Sequence, residues 1–106
     1  MQKITYADIS NDKNNLKFLI SEMIRIYNIR KFHTQVLECN QWILMLERQP
    51  LNTEYTVDAM ISLKNILNDA VNYLITVENR WDDGKLAMNL MNKIVELFNI
   101  NKNEKD

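Results

Sequence analysis

The scarcity of chain-breaking residues is the strongest constraint on the fold of this chain. Its 106 residues include one glycine, Gly84, and one proline, Pro50. A β-rich protein needs turn-forming residues at each hairpin, and glycine is foremost among them. Hydrophobic residues make up 46% and charged residues 25%, which are ordinary values for a globular domain. We therefore predict an all-α protein made of a few long helices.

The spacing of apolar residues predicts where these helices lie. The four predicted helices cover residues 12–28, 32–48, 56–78 and 84–99. Residues 49–55 form the clearest loop, and Asp82 or Asp83 is expected to cap the fourth helix. No glycine or proline separates the first two helices, so one long kinked helix over 13–48 is an alternative.

Four helices with short connections favour a compact antiparallel bundle. An irregular orthogonal packing of the same helices is the alternative. Residues 1–12 are interpreted as a lead-in segment whose apolar residues could dock on the core. Residues 13–100 are predicted to form a single helical domain, and residues 101–106 a frayed polar tail.

The third predicted helix is unusually apolar. Its apolar arc spans about 240°, whereas a simple surface helix shows about 100°. Such a helix either contacts several other helices or contributes one side to an interface. A homodimer formed through this helix is therefore one expectation for the chain.

The only histidine and the only cysteine lie close together in the stretch KFHTQVLECNQW. On a helix, His33 and Cys39 project about 120° apart and lie about 9 Å apart along the axis. A nucleophile and its base need to approach to about 3 Å. We therefore predict that Cys39 is an inert core thiol, and that His33 belongs to a polar stripe with Asn40 and Glu47.

The residues needed for metal, phosphate or acid–base chemistry do not converge in the sequence. One histidine and one cysteine cannot complete a zinc site without carboxylates, and one glycine cannot build a phosphate-binding loop. Asp58 and Asp69 share a helix face but lie about 16 Å apart. We expect no metal, no cofactor and no enzymatic activity, with Asp58, Asp69, His33 and Glu47 as the only catalytic candidates.

The charge is distributed unevenly, although the net charge is −1. Residues 13–33 carry five cationic residues and one acid, whereas residues 34–84 carry three cationic residues and eight acids. The basic segment suggests an alternative function as a nucleic-acid-associated accessory factor. Its cationic side chains scatter around the helix instead of forming one stripe, which weakens this alternative.

The function that remains is the binding of another macromolecule, most simply another protein, by a small non-enzymatic helical protein. Interface hot spots are enriched in Trp and Arg, and exposed cations can orient a partner. The candidate partner-binding residues are Arg25, Arg30, Lys31, His33, Trp42 and Trp81.

Composition refines this expectation. The chain is rich in Asn, Ile and Lys, which AT-rich coding favours, so an inhibitor, an immunity- or antitoxin-like factor or an assembly subunit of a phage or other mobile element would fit. A single cysteine and the lack of a signal peptide indicate the cytoplasm. No apolar run approaches the roughly 18 residues that span a bilayer, so no membrane contact is expected.

Overall fold

The computed structural model describes the backbone of residues 3–104 and the side chains of residues 3–99. Within this range the chain is all-α, as predicted, and no strand is assigned. The helices are α1 (Tyr6–Ile9), α2 (Lys13–Ile29), α3 (His33–Arg48), α4 (Val57–Asn72) and α5 (Trp81–Glu104). A 3₁₀ turn (Ser10–Asp12) joins α1 to α2, and a π-helical turn (Tyr73–Val77) extends α4.

The four long helices form an antiparallel bundle, which confirms the predicted architecture. Helix α2 packs along α3 and α4 packs along α5, so the molecule consists of two helical hairpins. Helices α2 and α4 pack against each other between the two hairpins. The Tyr27 hydroxyl of α2 donates a 2.5 Å hydrogen bond to the Asp69 carboxylate of α4 across this contact.

The core contains only hydrophobic side chains within the described residues. Most of its largest fully buried members come from the amphipathic faces predicted by periodicity: Leu16, Leu19, Ile20, Met23, Tyr27, Leu46, Met60, Leu63, Leu67 and Leu74. Helix α4 contacts α2, α3 and α5, and this accounts for most of its wide apolar arc. Val57 and Ile61 of α4 and Val77 of the π turn stay exposed, and the homodimer stays a prediction.

Two helices, and not one kinked helix, cover residues 13–48. Lys31 adopts a left-handed backbone conformation with φ of 63°. The Lys31 N–H donates to the Asn28 carbonyl at 3.1 Å, and the Phe32 N–H donates to the Tyr27 carbonyl at 2.9 Å. This pair of bonds is a Schellman motif, which ends a helix and usually has glycine where Lys31 stands. The alternative of one continuous helix is therefore wrong.

The lead-in segment is an integrated part of the bundle. Ile4, Tyr6 and Ile9 are buried, and the Tyr6 hydroxyl donates to the Leu46 carbonyl at 2.5 Å. The backbone of this segment also bonds to the loop between α3 and α4, where the Tyr6 N–H donates to the Thr53 carbonyl at 2.9 Å. The lead-in segment therefore docks on the core, as its apolar residues suggest.

Helix α5 is longer than predicted at both ends. It begins at Trp81, so Asp82 and Asp83 lie in its first turn and are not its N-cap. Carboxylates in the first turn of a helix interact favourably with the positive end of its dipole. This interaction stabilises a helix that begins before these two acids. The helix continues to Glu104, so residues 101–104 are helical, and the fraying of the tail stays a prediction. The rest of the predicted tail, residues 105–106, lies outside the described residues, as do residues 1–2 of the lead-in.

Gly84 permits the close approach of α5 to the π turn. A Cβ atom at this position would lie 2.2 Å from Cγ1 of Ile75. Such a contact is too short for two carbon atoms, so any side chain here forces Ile75 to move.

Replacing Lys31 tests the strain in the α2–α3 connection. Lys31→Gly should raise the free energy of unfolding by roughly 0.5–1 kcal/mol, because glycine adopts the left-handed conformation without a Cβ clash. Lys31→Ala is the matched control, since it removes the same charge but keeps the Cβ. Urea denaturation of the two variants should separate them, and equal stabilities would contradict the strain argument.

Gly84→Ala tests the close approach of α5. Glycine-to-alanine changes in helices ordinarily stabilise by about 1 kcal/mol. Here we expect a loss of about 1–3 kcal/mol, because the new methyl group overlaps Ile75. The same change in an Ile75→Ala background should be neutral or stabilising, as measured by a double-mutant cycle in urea. A destabilisation of equal size in both backgrounds would rule out the Ile75 contact as its cause.

Candidate functional site

One end of the bundle brings together the α2–α3 connection and the α4–α5 connection. We call this the corner end and define it as residues 29–33 and 73–83. The guanidinium of Arg30 lies 4.9 Å from the ring centroid of Tyr73, so side chains of the two connections touch. The two connections therefore form one surface, which is held by the helices beneath it.

Most of the predicted partner-binding residues lie at or beside this end. Arg30, Lys31, His33 and Trp81 are exposed there, and Arg25 lies one turn below it on α2. Trp81 is distant in sequence from the other four, and it lies at the same end because both connections are at one end of an antiparallel bundle.

Trp42 is the exception, and its proposed role needs correction. Its side chain is only 2% exposed and belongs to the core. The ring centroid lies 5.4 Å from that of Tyr55 in the loop before α4, in a tilted arrangement. Trp42 faces inward because it shares the buried face of α3 with Cys39 and Leu46. It therefore stabilises the bundle and is not available to a partner.

Arg80 is the centre of an ion-pair network at the corner end. Its Nε and Nη2 both donate to the Asp83 Oδ2, at 3.0 and 2.7 Å. Its Nη1 donates to Glu22 of α2 and, at 3.0 Å, to Glu78. The hydrogen bond to Glu22, followed by that to Asp83, raises the pKa of Arg80. The network links the α4–α5 connection to α2.

Arg25 extends the same network. Its Nη2 donates to Glu78 at 2.7 Å and lies 3.5 Å from Glu22. The hydrogen bond from Arg25 lowers the pKa of Glu78, with Arg80 acting in the same direction. Arg25 is half-exposed, but its guanidinium is already engaged by two carboxylates. It therefore serves the structure first, and a partner would have to compete for it.

Trp81 is a large aromatic side chain that is held in place but left uncovered. It is 57% exposed, and its Nε1 donates to the Asn79 Oδ1 at 2.8 Å. Asn79 has a left-handed backbone with φ of 55°, a conformation that asparagine tolerates well. An open depression of about 470 Å³ lies beside the indole and is lined by residues 79–83. A fixed indole next to a depression is typical of an interface anchor.

Arg30 is engaged by aromatic rings and not by acids. Its guanidinium lies 4.9 Å from the centroid of the Tyr73 ring and 5.7 Å from that of Phe32. Phe32 in turn packs against Tyr27, with 6.2 Å between ring centroids. Neither Arg30 nor Lys31 forms an ion pair within the described part of the chain.

The Cys39 thiol is fully buried, as predicted. Burial, with Glu38 and Asp69 as weaker causes, raises its pKa to about 12. A thiol with such a pKa is protonated at neutral pH and is a poor nucleophile. Burial also raises the pKa of Tyr27, and its hydrogen bond to Asp69 adds to this effect.

The other catalytic candidates do not converge on one another. Asp69 accepts the Tyr27 hydrogen bond, Glu47 pairs with Lys17 at 3.3 Å, and His33 and Asp58 are exposed. In residues 3–99, no group of three or more His, Cys, Asp or Glu side chains is placed to hold a metal ion. None of the described helices is both long enough and apolar enough to cross a membrane.

Two of the five cations of the basic segment 13–33 are paired with carboxylates of the protein. Lys17 pairs with Glu47, and Arg25 pairs with Glu78. A surface that reads nucleic acid needs several cations free to meet phosphates. These contacts therefore weaken the nucleic-acid alternative.

The ion-pair network was not predicted from the sequence. Glu22 and Arg25, and likewise Arg80 and Asp83, are spaced by three residues, and this spacing could have indicated two local ion pairs. The bond from Arg80 to Glu22, which joins the two pairs, spans 58 residues of sequence and carries no local signal. The contact between Tyr73 and Arg30 could not be predicted for the same reason.

Comparison of the chain with models of known protein families, with curated protein sequences and with solved structures found no match. The geometry of the corner end is therefore the basis for a functional proposal.

Glu78→Gln tests the ion-pair network. Because the folded-state pKa of Glu78 is lowered, its carboxylate stabilises the fold above its unfolded-state pKa of about 4.3, and this contribution is lost as pH falls. We expect the variant to be less stable than the wild type by about 0.5–1 kcal/mol at pH 7, with a smaller difference near pH 3.

Urea denaturation at both pH values measures this effect. Glu96→Gln is the control, because Glu96 is an exposed carboxylate of α5 that forms no ion pair in the described structure. If Glu78→Gln lowers the free energy of unfolding equally at pH 7 and pH 3, the charge of Glu78 does not contribute to stability.

Proposed function

We propose that this chain is a non-enzymatic protein that binds another protein through the corner end of its bundle. The observation that carries the proposal is Trp81, a 57% exposed indole fixed by a hydrogen bond to Asn79. An aromatic side chain that is already ordered loses little conformational entropy on binding, so its burial contributes more to affinity.

The surroundings of Trp81 support this role. Val77, Ile29 and Phe32 are exposed at the same end, and the arginines Arg30 and Arg80 are held in fixed orientations. Exposed apolar side chains next to oriented arginines are typical of protein interfaces. The ion-pair network and the two helix-ending turns keep this surface rigid, which reduces the cost of binding.

The finer features of the proposal come from the sequence. A role as an inhibitor, an immunity- or antitoxin-like factor or an assembly subunit fits a small chain with one exposed anchor region. The composition, rich in Asn, Ile and Lys, favours a phage or other mobile element as its source. A single, buried cysteine fits a reducing compartment such as the cytoplasm.

Affinity capture with Trp81→Ala tests this proposal. The full-length chain, tagged and expressed in its native host, should retain a specific protein in stoichiometric amount. The Trp81→Ala variant should bind this protein at least tenfold more weakly, because hot-spot tryptophans contribute about 2 kcal/mol or more.

Leu44→Ala is the matched control for this experiment. Leu44 is an exposed apolar residue of α3, 67% accessible and away from the corner end. Its variant should capture the partner as well as the wild type does, and circular dichroism should show both variants folded. Undiminished capture by Trp81→Ala, or capture abolished by nuclease treatment, would contradict protein binding through the corner end.

A further inference from the structure

The α2–α3 corner, residues 29–33, is a continuous exposed part of the corner end with a chemistry of its own. Ile29 is 71% exposed and Phe32 is 38% exposed, and the three residues Arg30, Lys31 and His33 are exposed as well. The tip of this helical hairpin thus carries two apolar side chains together with two cations and a histidine.

The charges of Arg30 and Lys31 are not compensated. Arg25 and Arg80, a short distance away, are engaged by Glu22, Glu78 and Asp83. Arg30 and Lys31, in contrast, form no ion pair with any described carboxylate. The α2–α3 corner therefore carries two positive charges that no carboxylate of the described residues neutralises.

The contacts of Arg30 leave it able to bind a carboxylate. Its guanidinium carbon lies over the Tyr73 and Phe32 rings, at 4.9 and 5.7 Å from their centroids. An aromatic ring does not neutralise the charge of a guanidinium, and no described carboxylate pairs with Arg30. Contact with two rings also restrains the side chain, and a restrained guanidinium binds a carboxylate at lower entropic cost.

The backbone conformation at Lys31 fixes the position of this exposed residue at the corner. Its left-handed conformation and the two hydrogen bonds of the Schellman motif fix the chain at this position. The ammonium group has no partner within the described residues, and it stands next to Arg30 in the sequence. The two cations can therefore be met by acids on one segment of a partner.

We propose that the partner presents to the α2–α3 corner a polypeptide segment that carries at least two carboxylates and an apolar side chain. The carboxylates meet Arg30 and Lys31, and the apolar side chain packs between Ile29 and Phe32. This inference deepens the proposed function and rests on it, because it specifies the chemistry of the protein that binds the corner end.

A polypeptide fits this surface better than a nucleic acid does. Nucleic-acid affinity grows with the number of phosphates that are neutralised, and two cations neutralise few. The exposed Ile29 gains nothing from a phosphodiester backbone, whereas it is buried by an apolar side chain.

Selection from a library of random displayed peptides tests the proposal, because it does not require the natural partner to be identified first. The full-length protein is immobilised, and twelve-residue peptides are selected on it at physiological salt. We expect the recovered sequences to be enriched in Asp and Glu next to Leu, Ile, Phe or Trp. Their affinity should fall at least tenfold for the double variant Arg30→Glu/Lys31→Glu.

Arg48→Glu/Lys64→Glu is the matched control, with the same change in net charge outside the corner end. It should bind the selected peptides as the wild type does, and thermal unfolding should show that both double variants are folded. Enrichment of peptides without acids, affinity unchanged by the Arg30/Lys31 reversal, or a failure to enrich any peptide would overturn the proposal. The proposal would be overturned in favour of nucleic acid if a labelled DNA or RNA oligonucleotide bound more tightly than the selected peptides. Its affinity would also have to depend on Arg30 and Lys31.

The two proposals fail in distinguishable ways. The first outcome is that Trp81→Ala abolishes capture of the host protein while Arg30→Glu/Lys31→Glu leaves it unaffected. The corner end then binds a protein, but the proposal that the partner presents an acidic segment is wrong. If host capture is insensitive to Trp81→Ala, the proposed function itself is contradicted.

Discussion

The packing of α2 against α4 is the contact on which the rest of the structure depends. Each of the two hairpins has an apolar face that it cannot cover alone, and the contact between them buries these faces together. Burial of a single leucine or isoleucine contributes about 1.5–3 kcal/mol, so the combined effect far exceeds that of any surface ion pair. The Tyr27–Asp69 hydrogen bond spans the same contact and favours one register, because a buried hydroxyl without an acceptor is costly. This register sets the α2–α3 connection beside the α4–α5 connection.

The corner end uses arginine in two physically different ways. Arg80 is surrounded by three carboxylates, which satisfy its hydrogen-bonding groups and tie the α4–α5 connection to α2. Arg30 lies against aromatic rings, which orient it without neutralising its charge. The first arrangement stabilises the fold, and the second leaves a charge directed at solvent. Because both occur at one end, the surface there is rigid as well as chemically unsatisfied, and Trp81 adds an exposed anchor to it.

Much of the fold could be predicted from local patterns. The apolar faces of α2 and α4, the inert position of Cys39 and the loop around Pro50 follow from periodicity and turn chemistry. The break between α2 and α3 could not be predicted, because it depends on Lys31 in a conformation that glycine normally adopts. The burial of Trp42 could not be predicted either, because an aromatic residue on an amphipathic helix has the same spacing whether it belongs to the core or to an interface.

Local sequence patterns are sufficient to predict the fold class of this protein, the approximate positions of its four long helices and the separation of His33 from Cys39. These properties depend on residues within a few turns of one another, where helix geometry alone sets distances. Helix packing alone shows which arginines are neutralised, that Trp81 is exposed while Trp42 is buried, and that residues 29–33 adjoin residues 73–83. Arg80 and Glu22 are 58 residues apart in sequence, and their meeting is set by the packing of α2 on α4, which no local pattern specifies.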